Sequence, residues 1–464
     1  MNILDKIIPK LPEVKGPEEK YLSFNIKLKW TLIILSAFYI LSIVPLYGLG
    51  QNALSQFESL SILLGASFGS IMSLGIGPIV TASIVLQLLV GSEIIKLDTT
   101  TKEGRTKFQG VQKIASIFFI IFEAVVYVYL GGLAPALNQA NFVILQLFLI
   151  LQLFIGGIIV LFMDELLNKW GFGSGISLFI AAGVSSQIFI RIFSPLTRAG
   201  TFAFGAGESP VGQLWVFFLS LIGRNPREAF LAAALILFTI LIFVVAVYAQ
   251  SMKVEIPLSF GRIRGHGIRW PLKFIYTSNI PVILIAALFA NIQLWARLLE
   301  SWGHPLLGTF AGNVPTSGLV AWLFAPNLPA EILGGSFSPI LLIKSLIYIL
   351  AFVVGSIIFS VFWVQTSGMD ASSQAKQIIS SGLQVPGFRR DPRVIERLLQ
   401  RYISPLTVMG AIVVGILAST ADLLGALSSG TGILLTVMII YRLYEDISRQ
   451  HMTDMNPALR KMIE

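Results

Sequence analysis

Residues 142–163, FVILQLFLILQLFIGGIIVLFM, run for 22 positions without a charged side chain. As a helix, about 20 apolar residues cross the hydrocarbon of a bilayer. Runs of the same kind recur at 30–48, 76–91, 111–131, 174–193, 228–251, 280–299, 340–363, 404–424 and 428–446. Composition agrees: only 12% of the residues are charged and 55% are hydrophobic, whereas a soluble domain carries about 25% charged residues. Lipid is therefore the solvent for most of the chain. In lipid each backbone group needs an internal partner, which predicts an all-α integral membrane protein of ten transmembrane helices.

Charge orients those helices. With ten crossings both termini share one side, and 27 of the 33 lysines and arginines fall on it. Positive charge accumulates in cytoplasmic segments, so both termini are expected to be cytoplasmic. The chain then divides into an N-terminal segment (1–29), a first half with helices 1–5 (30–200), a second half with helices 6–10 (201–446) and a tail (447–464). In the N-terminal segment, apolar residues at 3, 4, 7, 8 and 11 have helical spacing and fit an amphipathic helix lying on the membrane; a solvated tail is the plainer alternative. The second half carries the cytoplasmic loops 252–279 and 364–403, both long, basic and poor in apolar periodicity.

Several chemistries are excluded. There is no cysteine, hence no disulfide and no thiolate nucleophile or ligand, and the three histidines lie far apart. No nucleotide-binding, zinc-protease or serine-hydrolase signature occurs, and no acidic pair suits a magnesium site. Neither an enzyme nor a cofactor is expected. Within the spans Glu123 stands out as an intramembrane carboxylate, a costly group that marks a functional site or else a protonated, hydrogen-bonded side chain.

Two helices open alike. Gly75-Ile-Gly-Pro-Ile-Val80 and Gly173-Ser-Gly-Ile-Ser-Leu-Phe-Ile180 each place branched side chains four apart, Ile76 with Val80 and Ile176 with Ile180. Such pairs share a helix face. Glycine-interrupted helices in a membrane either ease close packing or mark a central site. Arg262, Arg264 and Arg269, interleaved with glycines, suit a finger that meets phosphate or acidic surface, although charge that only sets topology explains them too.

GIGPIVTASIVLQLL, GSGISLFIAAG, SNIPVILIAALFANIQLW, VPGFRRDP and GTGILLTVMIIYRLYE together identify the chain as resembling the SecY family, the α-subunit of the Sec protein-conducting channel, over essentially its full length and on its archaeal branch. The resemblance implies two inverted, pseudo-symmetric halves around a central hourglass pore that passes unfolded polypeptides and releases transmembrane segments sideways. It places the pore ring at Ile76, Val80, Ile176, Ile180, Ile283 and Leu435. A polar cluster at a lateral gate falls on Thr81, Glu123 and Asn291, with Gln87 as a neighbour. A short plug helix matches about 57–70, including Phe57, Leu64, Gly65, Ser67 and Gly69. Ribosome-docking loops carry Arg262, Arg264, Arg269, Arg389 and Arg390. The implied partners are SecE-type (γ) and Secβ-type small membrane subunits, the ribosome, signal sequences and nascent polypeptides, in the lipid of the cell (plasma) membrane.

The rival class is a secondary transporter of a small solute, which shares interrupted helices and inverted repeats but needs several polar groups at the midplane. Here the Gly-x-Gly segments are followed by Ile and Val.

Overall fold

The computed structural model describes residues 8–19, 22–52, 66–91, 94–95, 101–135, 141–197, 201–204, 209–260, 267–277, 280–312, 314–335, 338–380, 383–384, 391–427 and 430–455. Among these, ten helices of at least 15 residues carry the architecture. They are α1 Phe24–Ile43, α2 Gly77–Gly91, α3 Lys102–Tyr129, α4 Phe142–Trp170, α5 Gly175–Phe193, α6 Pro226–Ser251, α7 Ile280–Ser301, α8 Pro339–Thr366, α9 Pro392–Leu423 and α10 Gly430–Met455. Each of the ten expected spans falls on one of them.

Eight of these helices are long and apolar enough to cross a bilayer. The other two are α2 and α10. α2 has 15 residues, because the chain just before it is folded into turns. α10 begins apolar, then carries Arg442, Glu445, Asp446 and Arg449 in its second half. Several helices outrun their apolar windows: α1, α3 and α9 start before the expected spans, and α4 and α10 end after theirs. Hydropathy records the thickness of lipid, whereas backbone pairing continues beyond it. Side-chain caps set two of these starts, Thr101 accepting from Gly104 N at 3.1 Å and Asp391 from Arg393 N at 2.9 Å.

Helix packing encloses a centre. α2 lies on α3 and also reaches α7 and α8, while α10 packs on α5, α6 and α9. One continuous apolar cluster draws residues from both halves, from Ile34 and Phe38 in α1 to Leu434, Leu435 and Met438 in α10. Outward faces stay apolar as well, with Ile40, Leu237, Leu346 and Leu350 all exposed. That pattern suits lipid contact.

The described parts of the two basic loops carry regular secondary structure. Strands β1 Lys253–Phe260 and β2 Gly267–Lys273 form an antiparallel hairpin in register from Lys253↔Lys273 to Ser259↔Gly267. A third strand, β3 Leu383–Gln384, pairs with the end of β1. In the other loop Ala371–Ser380 is a helix. It buries Ala375 and Ile378 with Ile395, Leu399 and Ile403 of α9. The spacing 395, 399, 403 is a helical apolar stripe, so the expectation of poor periodicity in 364–403 is corrected.

The N-terminal segment also differs from expectation. Residues 1–7 lie outside the described residues, and Ile8–Lys10 is a single 3-10 turn whose Ile8 side chain faces Gly110. Residues 12–15 form a strap across the ends of α3 and α4. Lys113 Nζ donates to Pro12 O at 2.6 Å, Val14 N to Glu165 Oε1 at 3.2 Å, Lys169 Nζ to Val14 O at 2.6 Å and Trp170 Nε1 to Lys15 O at 2.9 Å.

Candidate pore and lateral gate

α2 begins at a sharp turn. Gly75 has φ 54°, a left-handed conformation that glycine adopts without strain. Its N–H donates to Met72 O at 3.0 Å, and Val80 N then donates to Ile76 O at 3.0 Å to open the helix. Pro78 costs nothing there because a first-turn N–H has no helical partner. Ile76 and Val80 therefore stand one turn apart on a rigid element, and both are buried.

All six residues of the expected ring fall in the one apolar cluster where α2, α5, α7 and α10 meet. Ile76, Val80, Ile180, Ile283 and Leu435 are buried within it, and Ile176 packs against it half-buried. Against one side of the cluster lies a cavity of about 600 Å³, whose wall includes Val80, Ile176 and Ile283. The rest of the wall is mixed: Phe108, Phe172, Trp363 and Leu443 alternate with polar side chains, among them Gln87 of α2, Gln112 of α3 and Arg442 and Asp446 of α10. The cavity thus borders aliphatic side chains, and a narrow aliphatic constriction excludes water and ions.

The expected polar cluster assembles as well. Thr81 Oγ1 donates to Glu123 Oε1 at 3.3 Å and lies 2.9 Å from Gly77 O, while Asn291 Nδ2 donates to Thr81 Oγ1 at 3.0 Å. The chain of contacts runs from α3 through α2 to α7. Glu123 is buried, and its Oε2 has no partner among the described residues. Gln87 sits about two turns further along α2 on the cavity wall, with Oε1 buried and without a partner among the described residues.

Comparison with known proteins decides the family. The SecY family model matches residues 70–444. The chain belongs to the SecY family. It is 44% identical over 461 residues to the protein translocase subunit SecY of Methanothermobacter thermautotrophicus, covering 98% of this chain and 96% of that one. A solved protein-conducting channel superposes with TM-score 0.82 at 40% identity, covering 97% of this chain and 98% of that chain. Sec61 in the canine ribosome–channel complex gives TM-score 0.79 at 40% identity, with the same coverage. These likenesses favour the channel reading over the solute transporter and agree with a chain that is no enzyme.

In this SecY chain further side chains bridge the same seam. Phe122 of α3 stacks on Trp295 of α7, with ring centroids 5.4 Å apart, and Ser301 Oγ donates to Leu130 O at 2.8 Å. The sequence reading passed over both contacts. A signal was present: Trp295 lies four residues after Asn291 and so shares its face, and Phe122 adjoins Glu123.

Of the expected plug residues, Phe57, Leu64 and Gly65 lie outside the described residues. Ser67 and Gly69 are held against the end of α1. Ser67 Oγ donates to Ser42 O at 2.9 Å, Ser67 N to Met72 O at 3.1 Å and Leu46 N to Gly69 O at 2.9 Å. Of the docking residues, Arg262, Arg264, Arg389 and Arg390 also lie outside the described residues. Arg269 is exposed on β2 and meets Glu255 at 3.2 Å. Lys253 and Arg269 together hold the Glu255 carboxyl below its ordinary range.

Glu123 is not the only carboxylate in or beside the apolar runs. Asp422 lies inside the expected span 404–424 and Asp164 one residue past 142–163. Each faces the first turn of a following helix.

Proposed function

We propose that this chain is the pore-forming subunit of the Sec translocon, passing unfolded polypeptides across the membrane and releasing transmembrane segments sideways. The observation that carries this is the convergence of six aliphatic side chains from both halves in one cluster beside a cavity. Ile76, Val80, Ile176, Ile180, Ile283 and Leu435 act as the waist. Aliphatic groups offer no hydrogen bonds, so the waist seals against ions yet favours no particular substrate sequence. The seam of Thr81, Glu123 and Asn291, with Phe122 and Trp295, acts as the latch of the lateral gate. Gln87 lies at the cavity end of the same helix. The plug at 57–70 is tethered at its C-terminal end through Ser67 and Gly69.

Both termini face the cytoplasm of a cell with this channel in its plasma membrane. On that face Arg262, Arg264, Arg269, Arg389 and Arg390 dock the ribosome, a role supported by the likeness to Sec61 in a ribosome–channel complex. SecE-type and Secβ-type small subunits complete the assembly.

The test uses the complex in proteoliposomes with ribosomes translating a signal-bearing polypeptide. Protection of that chain from external protease is expected. Accumulation of a small solute without chain protection would overturn the reading in favour of a transporter. The ring is tested separately: Ile76→Asn with Ile180→Asn hydrates the waist and raises resting ion conductance, whereas unchanged conductance removes these residues from it.

A further inference from the structure

Asp164 and Asp422 sit at matching places in the two halves. Asp164, near the end of α4, accepts from Ile176 N at 2.9 Å through Oδ1 and also from Gly175 N. Asp422, at the end of α9, accepts from Thr431 N at 2.8 Å through Oδ1 and from the Gly430 amide. Its Oδ2 accepts from the Thr431 hydroxyl and from Tyr348 OH of α8, the latter at 2.8 Å. Since α5 starts at Gly175 and α10 at Gly430, each carboxylate takes the first two amides of the next helix.

The contacts leave no room for slippage. A Cβ added at Gly175 would lie 2.6 Å from Asp164 Cα, and one at Gly430 would lie 2.0 Å from the Ala421 carbonyl carbon. The two junctions stand at opposite ends of the bundle. Ser174 lines the cavity together with Arg442 and Asp446, three to four turns into α10, while Arg191 near the end of α5 donates to Leu427 O just before α10, so the start of α10 is remote from that of α5. In lipid, leading amides without partners are costly, and the positive end of a helix dipole favours a carboxylate.

Counted from these anchored starts, the sixth residue is Ile180 in α5 and Leu435 in α10. Both belong to the proposed waist. A slip of one residue turns a helical side chain through about 100°, enough to remove it from the pore axis. We propose that Asp164 and Asp422 are paired positioning carboxylates, one per inverted half, that fix the register in which α5 and α10 present Ile180 and Leu435 to the waist. This rests on the pore-ring reading above.

The absence of native cysteine makes the test clean. Ile180→Cys is combined in turn with Leu434→Cys, Leu435→Cys and Thr436→Cys in the assembled complex, and oxidative cross-linking is measured beside resting ion conductance in a bilayer. The parent is expected to cross-link mainly through the Ile180→Cys and Leu435→Cys pair. Asp422→Ala or Asp164→Ala should spread the yield to neighbouring positions and raise conductance about tenfold, the population shift expected from losing a charge-assisted hydrogen bond. Tyr348→Phe, which leaves both amide contacts in place, should keep the parent pattern even where it lowers thermal stability.

The inference is overturned if the Asp variants keep the parent cross-link pattern and conductance while Ile180→Asn leaks. Where an Ala variant fails to assemble, Asp422→Leu and Asp164→Leu, which fill the space but offer no acceptor to the amides, decide, and the parent pattern in both overturns it equally. The pore-ring reading fails by a different result: no leak from Ile180→Asn and no preference for position 435 in the parent, which removes this inference with it.

Discussion

Thr81 is the residue on which the lateral seam turns, because its one hydroxyl both donates towards Glu123 and accepts from Asn291. Thr81→Val keeps the shape but removes the acceptor, leaving a buried Asn291 N–H without a partner. A buried donor left unsatisfied costs about 1–3 kcal/mol, so the closed gate should lose stability and resting conductance should rise about tenfold. Glu123→Gln keeps a carbonyl oxygen facing Thr81 and should change conductance far less. Equal leaks from the two variants would show that charge at Glu123 matters as much as the hydrogen bond to Asn291. Trp295→Ala removes the stack on Phe122, and such a pair contributes about 0.5–1.5 kcal/mol. Its effect should be smaller than that of Thr81→Val and should appear as faster probe labelling between α3 and α7. The residues of this seam were partly legible. Glu123 is visible in sequence as a charge in an apolar run, but Thr81 and Asn291 are ordinary polar residues whose partnership exists only across 210 positions of chain. Family motifs, not periodicity, brought them together.

Among the elements, the hairpin of β1 and β2 shows how a basic loop acquires shape. Its charges do not merely repel: Glu255 lies between Lys253 at 3.3 Å and Arg269 at 3.2 Å. Those cations lower the folded pKa of Glu255. The contribution to stability is therefore present above the ordinary glutamate range and is lost as pH falls through the lowered folded value. Limited proteolysis of the hairpin should accelerate below that range in the parent, while Glu255→Gln should be cut equally fast at neutral and acid pH. An acid-induced increase that survives the substitution would assign the effect elsewhere. The sequence disclosed the charge of these loops but not their order. The strands hold two prolines, Pro257 and Pro271, which weaken any strand signal, and the helix Ala371–Ser380 buries only small and medium side chains against α9. For the same reason the apolar windows located all ten long helices yet missed their extensions, since Thr101 and Asp391 begin helices well before lipid begins.

At the scale of the molecule, two halves share a dry centre but meet at the gate through a thin seam. Two polar contacts, Asn291 to Thr81 and Ser301 to Leu130, and one aromatic stack, each worth about 1 kcal/mol, make a latch of only a few kcal/mol. Moving an apolar segment into lipid gains about 0.3–0.6 kcal/mol per Leu, Ile, Phe or Val. A segment with a dozen such residues therefore outweighs the latch, while a polar chain does not. The gate can thus sort substrates by hydropathy without a binding site for any sequence. A covalent bridge should abolish that sorting, because its strength does not compete with lipid. Phe122→Cys with Trp295→Cys, joined by a short bis-maleimide, fixes α3 to α7 in a chain that has no other thiol. Transmembrane segments should then fail to reach lipid, measured as loss of alkali-resistant membrane insertion, and a cleavable linker should restore insertion on reduction. Insertion that persists with the bridge intact would place the exit elsewhere than between these two helices.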